Sequence, residues 1–111
     1  MTRTFIQTKE FSSRWDKLGL NDDDLRRLEF DLMTNSDKYP VIQGTGGLRK
    51  ARFAFEHKGK RGGVRICYFD FIFKETIYLV TVYSKNDKDN LSKSEINEIK
   101  KVITLLEESL K

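Results

Sequence analysis

The chain has 111 residues, of which 38% are hydrophobic and 12% aromatic, with one proline and a formal net charge of +4. This length and composition predict one globular domain over residues 1–111 and exclude a disordered or fibrous chain. No apolar run approaches the roughly 18 residues that cross a bilayer, and the N-terminal residues form no secretory signal. We therefore expect a cytoplasmic protein without a membrane segment.

The first two predicted elements are a short strand and an amphipathic helix. Residues 4–8 (TFIQT) alternate in polarity closely enough to predict a short strand. Phe11, Trp15 and Leu18 follow at helical spacing, so they form one apolar stripe of a helix that Gly19 ends. We expect these three side chains in the core.

A second helix is predicted after Asn21. The Asn21 side chain can cap free backbone amides, and the acids at 22–24 favour the positive end of the helix dipole. The segment 35–40, which ends in proline, terminates the helix. The predicted apolar stripe consists of Leu25, Leu28 and Leu32, broadened by Phe30 and Met33.

Three strands are predicted next, over residues 48–55, 64–73 and 76–83. In the first, Lys50 and Arg52 alternate with apolar residues, so both cations lie on the face opposite the phenylalanines. The other two strands are apolar on both faces, which is typical of the middle of a sheet. Arg65 has the same parity as Cys67. Residues 58–63 are predicted to be a turn and residues 84–90 a polar loop.

The last predicted element is a helix that begins at a capping box formed by Ser92 and Glu95. Its apolar stripe is Ile96, Ile99, Ile103, Leu106 and Leu110. The order β-α-α-β-β-β-α predicts an α+β fold, with a mainly antiparallel sheet of about four strands, two N-terminal helices and one C-terminal helix.

The predicted architecture places all three helices on one face of the sheet. The opposite face is then open, and it carries Lys50, Arg52 and Arg65, with Tyr83 and Lys85 at its edge. A structure that placed Lys50 and Arg52 on a helix-covered face would overturn the argument for a site there, because both cations would then need buried partners.

Positive charge is concentrated in residues 43–65. This segment holds six of the seven glycines, seven of the 21 basic residues and one acid, so it carries +6 while the rest of the chain carries −2. Such a segment predicts a polyanionic partner, since glycines let the backbone approach phosphates closely. Residues 44–47 are not a phosphate loop, because they precede a strand and no Gly-Lys-Ser/Thr follows. We interpret them as a turn with positive φ.

The sequence offers neither a metal site nor a thiol nucleophile. Cys67 stands between Ile66 and Tyr68, which is typical of a strand interior, and the single histidine, His57, falls on a different predicted element. These residues form no ligand cluster and no Cys–His pair. We expect no metal and no cofactor.

A cationic face beside a tyrosine can nevertheless cleave RNA, because the substrate carries its own nucleophile, the 2′-hydroxyl. The planar arginine fork can bind two phosphate oxygens and stabilise the charge that develops on them. A lysine crowded by other cations has a lowered pKa and can act as a base. A tyrosine can stack on a base or relay a proton.

Three segments resemble the RelE/HigB superfamily of bacterial toxin–antitoxin toxins, in particular the HigB-type branch that is similar to RelE. They are residues 41–50 (VIQGTGGLRK), 58–66 (KGKRGGVRI) and 83–86 (YSKN), the last followed by Leu91. The resemblance implies a RelE-like domain and a metal-independent endoribonuclease that cuts messenger RNA at the ribosome and inhibits translation. It also implies a cognate antitoxin protein, HigA-like and DNA-binding.

By position, the resemblance implies that Arg65 holds the scissile phosphate and that Lys50 and Arg52 are paired basic residues of the neighbouring strand. The implied catalytic set is Arg65, Lys85, Tyr83, Lys50 and Arg52. Residues predicted to contact RNA or the ribosome are Arg49, Lys58, Lys60, Arg61 and Asn86.

Two departures from the RelE pattern leave the base and the acid unassigned. Asn86 stands where that pattern has an arginine, and the final helix contains no tyrosine. Two alternative functions stay open. One is a non-catalytic, gyrase-inhibiting toxin of the ParE-like branch, and the other is an RNA-binding domain without catalysis.

Overall fold

The computed structural model describes residues 3–55, 63–71 and 75–109. The elements are β1 (Thr4–Gln7), α1 (Lys9–Lys17), α2 (Asp22–Asn35), β2 (Arg49–Phe53), β3 (Val64–Phe71), β4 (Thr76–Ser84) and α3 (Lys93–Ser109). This is the predicted order, so the α+β prediction is confirmed. No helix within the described ranges is long and apolar enough to cross a membrane.

The four strands form one sheet in the order β1-β4-β3-β2. The pairs β2–β3 and β3–β4 are antiparallel, whereas β1 runs parallel to β4 with Thr4 opposite Thr76. The prediction of a mainly antiparallel sheet is therefore confirmed. The two most apolar strands, β3 and β4, occupy the centre of the sheet, as their sequences indicate.

Local capping signals place the helix ends. The Thr8 side chain accepts a hydrogen bond from the Phe11 amide and begins α1. Asn21 and Asp24 form a reciprocal capping box at the start of α2. Ser92 and Glu95 form the predicted capping box before α3, with bonds of 2.8 and 3.1 Å. Each cap satisfies backbone amides that have no partner within the helix.

Helices α1 and α2 cover the first face of the sheet. Trp15 and Phe11 are buried with Leu28 and Leu32 against strand residues such as Ile66, which confirms the predicted stripe. Phe30, predicted to broaden that stripe, is 77% exposed, so this prediction is wrong. Each step of two residues along a helix rotates the side-chain direction by about 200°. Phe30 is two positions from both Leu28 and Leu32, which are buried against the sheet, so its side chain faces away from the sheet.

Helix α3 covers the second face, so the expectation that all helices share one face is wrong. Ile103 is buried there against strand residues that include Phe69, Tyr78 and Val80. The physical reason is the composition of β3 and β4, which are apolar on both faces and need cover on both. Leu110, the last residue of the predicted stripe, lies outside the described residues.

The glycine-rich turn before β2 packs beneath α3. Gly44, Gly46 and Gly47 have φ of 86°, 83° and 127°, as the turn interpretation requires. Thr45 is fully buried between them; its hydroxyl donates to the Ile42 carbonyl at 2.6 Å and accepts from the Leu48 amide at 3.0 Å. This turn is therefore a structural support for the second face.

Candidate functional site

Strand register brings the predicted cations together. Arg52 pairs with Arg65, and Arg65 pairs with Tyr83 on the next strand. Lys50 pairs with Cys67, whose side chain belongs to the core under α3. Because directly paired residues project from the same face of a sheet, Lys50, Arg52, Arg65 and Tyr83 share the second face. The predicted common face of Lys50, Arg52 and Arg65 is confirmed.

Helix α3 covers only part of this face. Arg52 is exposed and Lys50 is half-buried, although both lie on the face that a helix partly covers. Lys50 has polar partners there: its Nζ lies 3.1 Å from Asn90 Oδ1 and 3.5 Å from the Asp89 carbonyl oxygen. The expectation that this face is open is therefore wrong. Neither cation needs a buried partner, however, because Arg52 is exposed to solvent and Lys50 has polar contacts.

Tyr83 reaches this face through a β-bulge. Leu79 of β4 pairs with Tyr68, whereas Thr81 pairs with Cys67, so one extra residue, Val80, lies between two consecutive partners on β3. Strict alternation from Leu79 would place Tyr83 in the core beneath α1 and α2. The bulge shifts the parity and places the Tyr83 ring in the second core, beside Arg65.

Arg65 is the most buried cation of the site. Its side chain is 3% exposed, and its Nη2 donates to Asp89 Oδ1 at 2.9 Å, while the Asp89 side chain is 54% exposed. This hydrogen bond lowers the pKa of Asp89 below its ordinary 3.8, and the charges of Lys50 and Arg52 act in the same direction. Because its pKa is lowered, Asp89 stays charged at neutral pH and loses its charge only when the pH falls through this lowered pKa, below 3.8.

Tyr83 and Cys67 are neutral side chains under the loop that follows β4. Burial raises the pKa of the Tyr83 hydroxyl, and contact with the Cys67 thiol raises it further. Burial also raises the pKa of Cys67 to about 12, so the thiol is not a nucleophile at neutral pH. The Tyr83 hydroxyl therefore serves as a hydrogen-bond donor, and it lies 3.5 Å from the Asp89 carbonyl oxygen.

Other predicted site residues are not all brought to this group. Arg49 pairs with Tyr68 and so lies on the first face, where its guanidinium donates to the Tyr39 carbonyl at 2.5 Å. Lys85 and Asn86 are exposed at the end of β4, and the Lys85 amide bonds the Gly63 carbonyl at 3.2 Å. Three predicted site residues, Lys58, Lys60 and Arg61, lie outside the described residues, and so does His57.

The structure adds residues that sequence reasoning missed. Asp89 and Asn90 contact the cations, and Lys88 lies 5.1 Å above the Tyr83 ring and binds Glu95. The loop residues among them form no recognisable motif. Asp89 is 24 positions from Arg65 in the sequence and Asn90 is 40 positions from Lys50, so no local pattern shows these contacts. Within residues 3–55, 63–71 and 75–109, no three His, Cys, Asp or Glu side chains are grouped as metal ligands.

Fold and site together define a class: a small α+β protein whose sheet presents a buried arginine, a lysine and a tyrosine at one end of its second face. A family model described as the RelE toxin of the RelE/RelB toxin–antitoxin system matches residues 2–110. The chain therefore belongs to the RelE toxin family of toxin–antitoxin systems. The HigB-type branch within the superfamily stays a prediction.

Solved structures show the same fold at low sequence identity. A doubly substituted RelE toxin of E. coli in the free state is 13% identical with a TM-score of 0.56, and the match covers 79% of this chain and 88% of that one. The conserved hypothetical protein HP0892 of Helicobacter pylori is 20% identical, with a TM-score of 0.55 and coverage of 78% and 98%. In the intact E. coli RelBE toxin–antitoxin complex, the matching chain is 14% identical with a TM-score of 0.51, and the match covers 75% of this chain and 96% of that one.

Proposed function

We propose that this protein is a ribosome-dependent messenger-RNA endoribonuclease that inhibits translation and needs no metal ion. The observation that carries the proposal is the convergence of Lys50, Arg52, Arg65 and Tyr83 on one face through strand pairing. Family membership supports the same function, since the chain belongs to a toxin family. The described site holds cations and a neutral phenol in place of a cluster of metal ligands.

In the proposed reaction, the 2′-oxygen of one nucleotide attacks the adjacent phosphorus. The bond from phosphorus to the 5′-oxygen breaks, which yields a 2′,3′-cyclic phosphate and a 5′-hydroxyl end. The proton of the 2′-hydroxyl passes to a base, and the departing 5′-oxygen takes up a proton. The protein supplies the base, the acid and charge stabilisation, and the substrate supplies the nucleophile.

Arg65 is suited to stabilise the charge on the phosphate oxygens. Its guanidinium is held in place by the strand and lies in a poorly hydrated environment, where a preorganised donor acts most strongly. Lys50 and Arg52 add positive charge from the adjacent strand. The neutral Tyr83 hydroxyl is suited to donate a hydrogen bond to the substrate.

An in vitro translation reaction tests the proposed function. Primer extension on the messenger RNA should map cuts at fixed positions within codons when the purified protein is added, and no cuts when ribosomes are omitted. Inhibition without such cuts would contradict the proposal, and gyrase-dependent DNA breaks would support the ParE-like alternative.

We also infer a cognate antitoxin protein as the partner. A free translation inhibitor would stop growth of its own host, and the E. coli RelE toxin has been solved in a RelBE toxin–antitoxin complex. The HigA-like, DNA-binding character of the antitoxin follows from the sequence resemblance. Co-expression with the adjacent gene should restore growth and give a complex on size-exclusion chromatography; failure of both would contradict this inference.

A further inference from the structure

The loop after β4 places an acid directly on the phosphate-binding arginine of the proposed site. Asp89 Oδ1 lies 2.9 Å from Arg65 Nη2, and the aspartate is half exposed whereas the arginine is almost fully buried. The carboxylate therefore covers the guanidinium on its solvent side. A substrate phosphate that approaches Arg65 from solvent meets Asp89 first.

Asp89 and the next loop residue, Asn90, also accept hydrogen bonds from the donors beside Arg65, which are Lys50 and Tyr83. The Asp89 carbonyl oxygen lies 3.5 Å from both Lys50 Nζ and the Tyr83 hydroxyl, and Asn90 Oδ1 lies 3.1 Å from Lys50 Nζ. Three donors that would hold a phosphodiester are thus bound to a carboxylate, a carbonyl and an amide oxygen. Guanidinium, ammonium and hydroxyl donors bind phosphate oxygens in the same way as they bind these three acceptor oxygens.

We infer that residues 89–90 occupy the position of an RNA phosphodiester and that Asp89 competes with the substrate for Arg65. This inference rests on the proposed function. A carboxylate and a phosphate on the same guanidinium would place two anions a few ångströms apart, which is unfavourable where solvent screening is weak. Binding of the RNA therefore requires Asp89 to leave Arg65.

The contacts around Asp89 allow this movement. Asp89 and Asn90 are exposed, and their side-chain contacts described above are with the cations themselves. The loop is anchored on the other side, where the amides of Asp87 and Lys88 bond the Ser84 carbonyl and Lys88 binds Glu95. When residues 89–90 move away, Lys50, Arg65 and Tyr83 lose their hydrogen bonds to this loop and form hydrogen bonds to phosphate oxygens in their place.

The test compares two isosteric substitutions in this loop. Asp89→Asn removes the competing charge, whereas Asp87→Asn removes the same formal charge from an exposed residue of the same loop. Affinity is measured by fluorescence anisotropy with a short single-stranded RNA whose 2′-O-methyl groups prevent cleavage. Asp89→Asn should bind at least about fivefold more tightly than the unsubstituted protein, and Asp87→Asn within about twofold of it.

Equal effects of the two substitutions would overturn the inference, as would the absence of binding by all three proteins. Weaker binding by Asp89→Asn would also overturn it, because Asp89 would then hold Arg65 in its binding position. Cleavage of ribosome-bound messenger RNA by the unsubstituted protein is measured separately. Failure of that reaction together with tighter binding by Asp89→Asn would reject the proposed function alone.

Discussion

At the scale of single residues, two arginine–aspartate pairs differ in what they can do. Arg3 and Asp70 are 7% and 5% exposed, so both charges are buried and each needs the other. In the pair of Arg65 and Asp89 only the arginine is buried. An exposed aspartate can be replaced by another anion at small cost, so the second pair suits a binding site and the first suits a structural role.

Arg65→Ala should reduce cleavage of ribosome-bound messenger RNA by about 10²–10³-fold, because it removes a preorganised donor to the phosphate. Arg65→Lys keeps the charge but loses the planar fork, so we expect an intermediate loss. Cleavage is measured by primer extension over time, and circular dichroism checks that both variants fold. Arg27→Ala, an exposed arginine on α2, is the control. Full activity of Arg65→Ala would contradict the site assignment.

Asp70→Ala should lower the free energy of unfolding by about 3–5 kcal/mol, because it leaves the buried Arg3 guanidinium without its acid. The urea midpoint of unfolding measures this change. The matched control is Glu10→Ala, which breaks an exposed pair with Arg14 on one helix and should cost less than about 1 kcal/mol. Equal costs of the two substitutions would show that the Arg3–Asp70 pair is not structural.

At the scale of elements, local signals predicted the helices and strands well. Caps at Asn21 and Ser92 and the apolar spacing of each stripe act within a few residues, so the sequence displays them directly. The bulge at Val80 and the contact of Asp89 with Arg65 depend on residues that meet only in the folded sheet. For that reason the common face of Lys50, Arg52 and Arg65 was predictable, whereas the loop that covers it and the orientation of Tyr83 were not.

Gly63→Ala should destabilise the protein by about 3 kcal/mol or more, through positive φ and steric overlap. Gly63 has a φ of 62°, and an added Cβ would lie 2.0 Å from the Phe53 carbonyl oxygen of β2. Thermal unfolding measures the effect. Gly46→Ala is the control, since it shares positive φ but its Cβ would lie 3.7 Å from Ile103, an ordinary contact. A loss no larger than that of Gly46→Ala would exclude the steric effect.

At the scale of the whole molecule, charge is distributed unevenly. Residues 43–65 carry +6 and the rest of the chain carries −2. A polyanion therefore meets a basic segment on a protein that is otherwise weakly acidic, which orients the encounter before any specific contact forms. The cations of the sheet and those of residues 58–61 have separate predicted roles, the first in chemistry and the second in association.

Substitution of Lys58 and Lys60 by alanine should weaken association with the ribosome, and it leaves the proposed catalytic residues in place. The logarithmic dependence of affinity on salt should become shallower by about one unit for each lysine that contacts a phosphate. Sedimentation with ribosomes over a series of salt concentrations measures this slope. The control replaces Lys100 and Lys101, two exposed lysines of α3, and should leave the slope unchanged. Identical slopes for both double variants would remove residues 58 and 60 from the interface.

The parallel pairing of β1 with β4 has a consequence for synthesis of the chain. Thr4 pairs with Thr76, and the Thr8 hydroxyl bonds a carbonyl 72 positions later, at Val80. The first strand to leave the ribosome therefore cannot join the sheet until β4, the last of the described strands, has been synthesised. Pairing over such a sequence separation delays folding. Tyr83 lies on the same late strand, so a chain whose synthesis has not reached β4 lacks part of the proposed site beside Arg65.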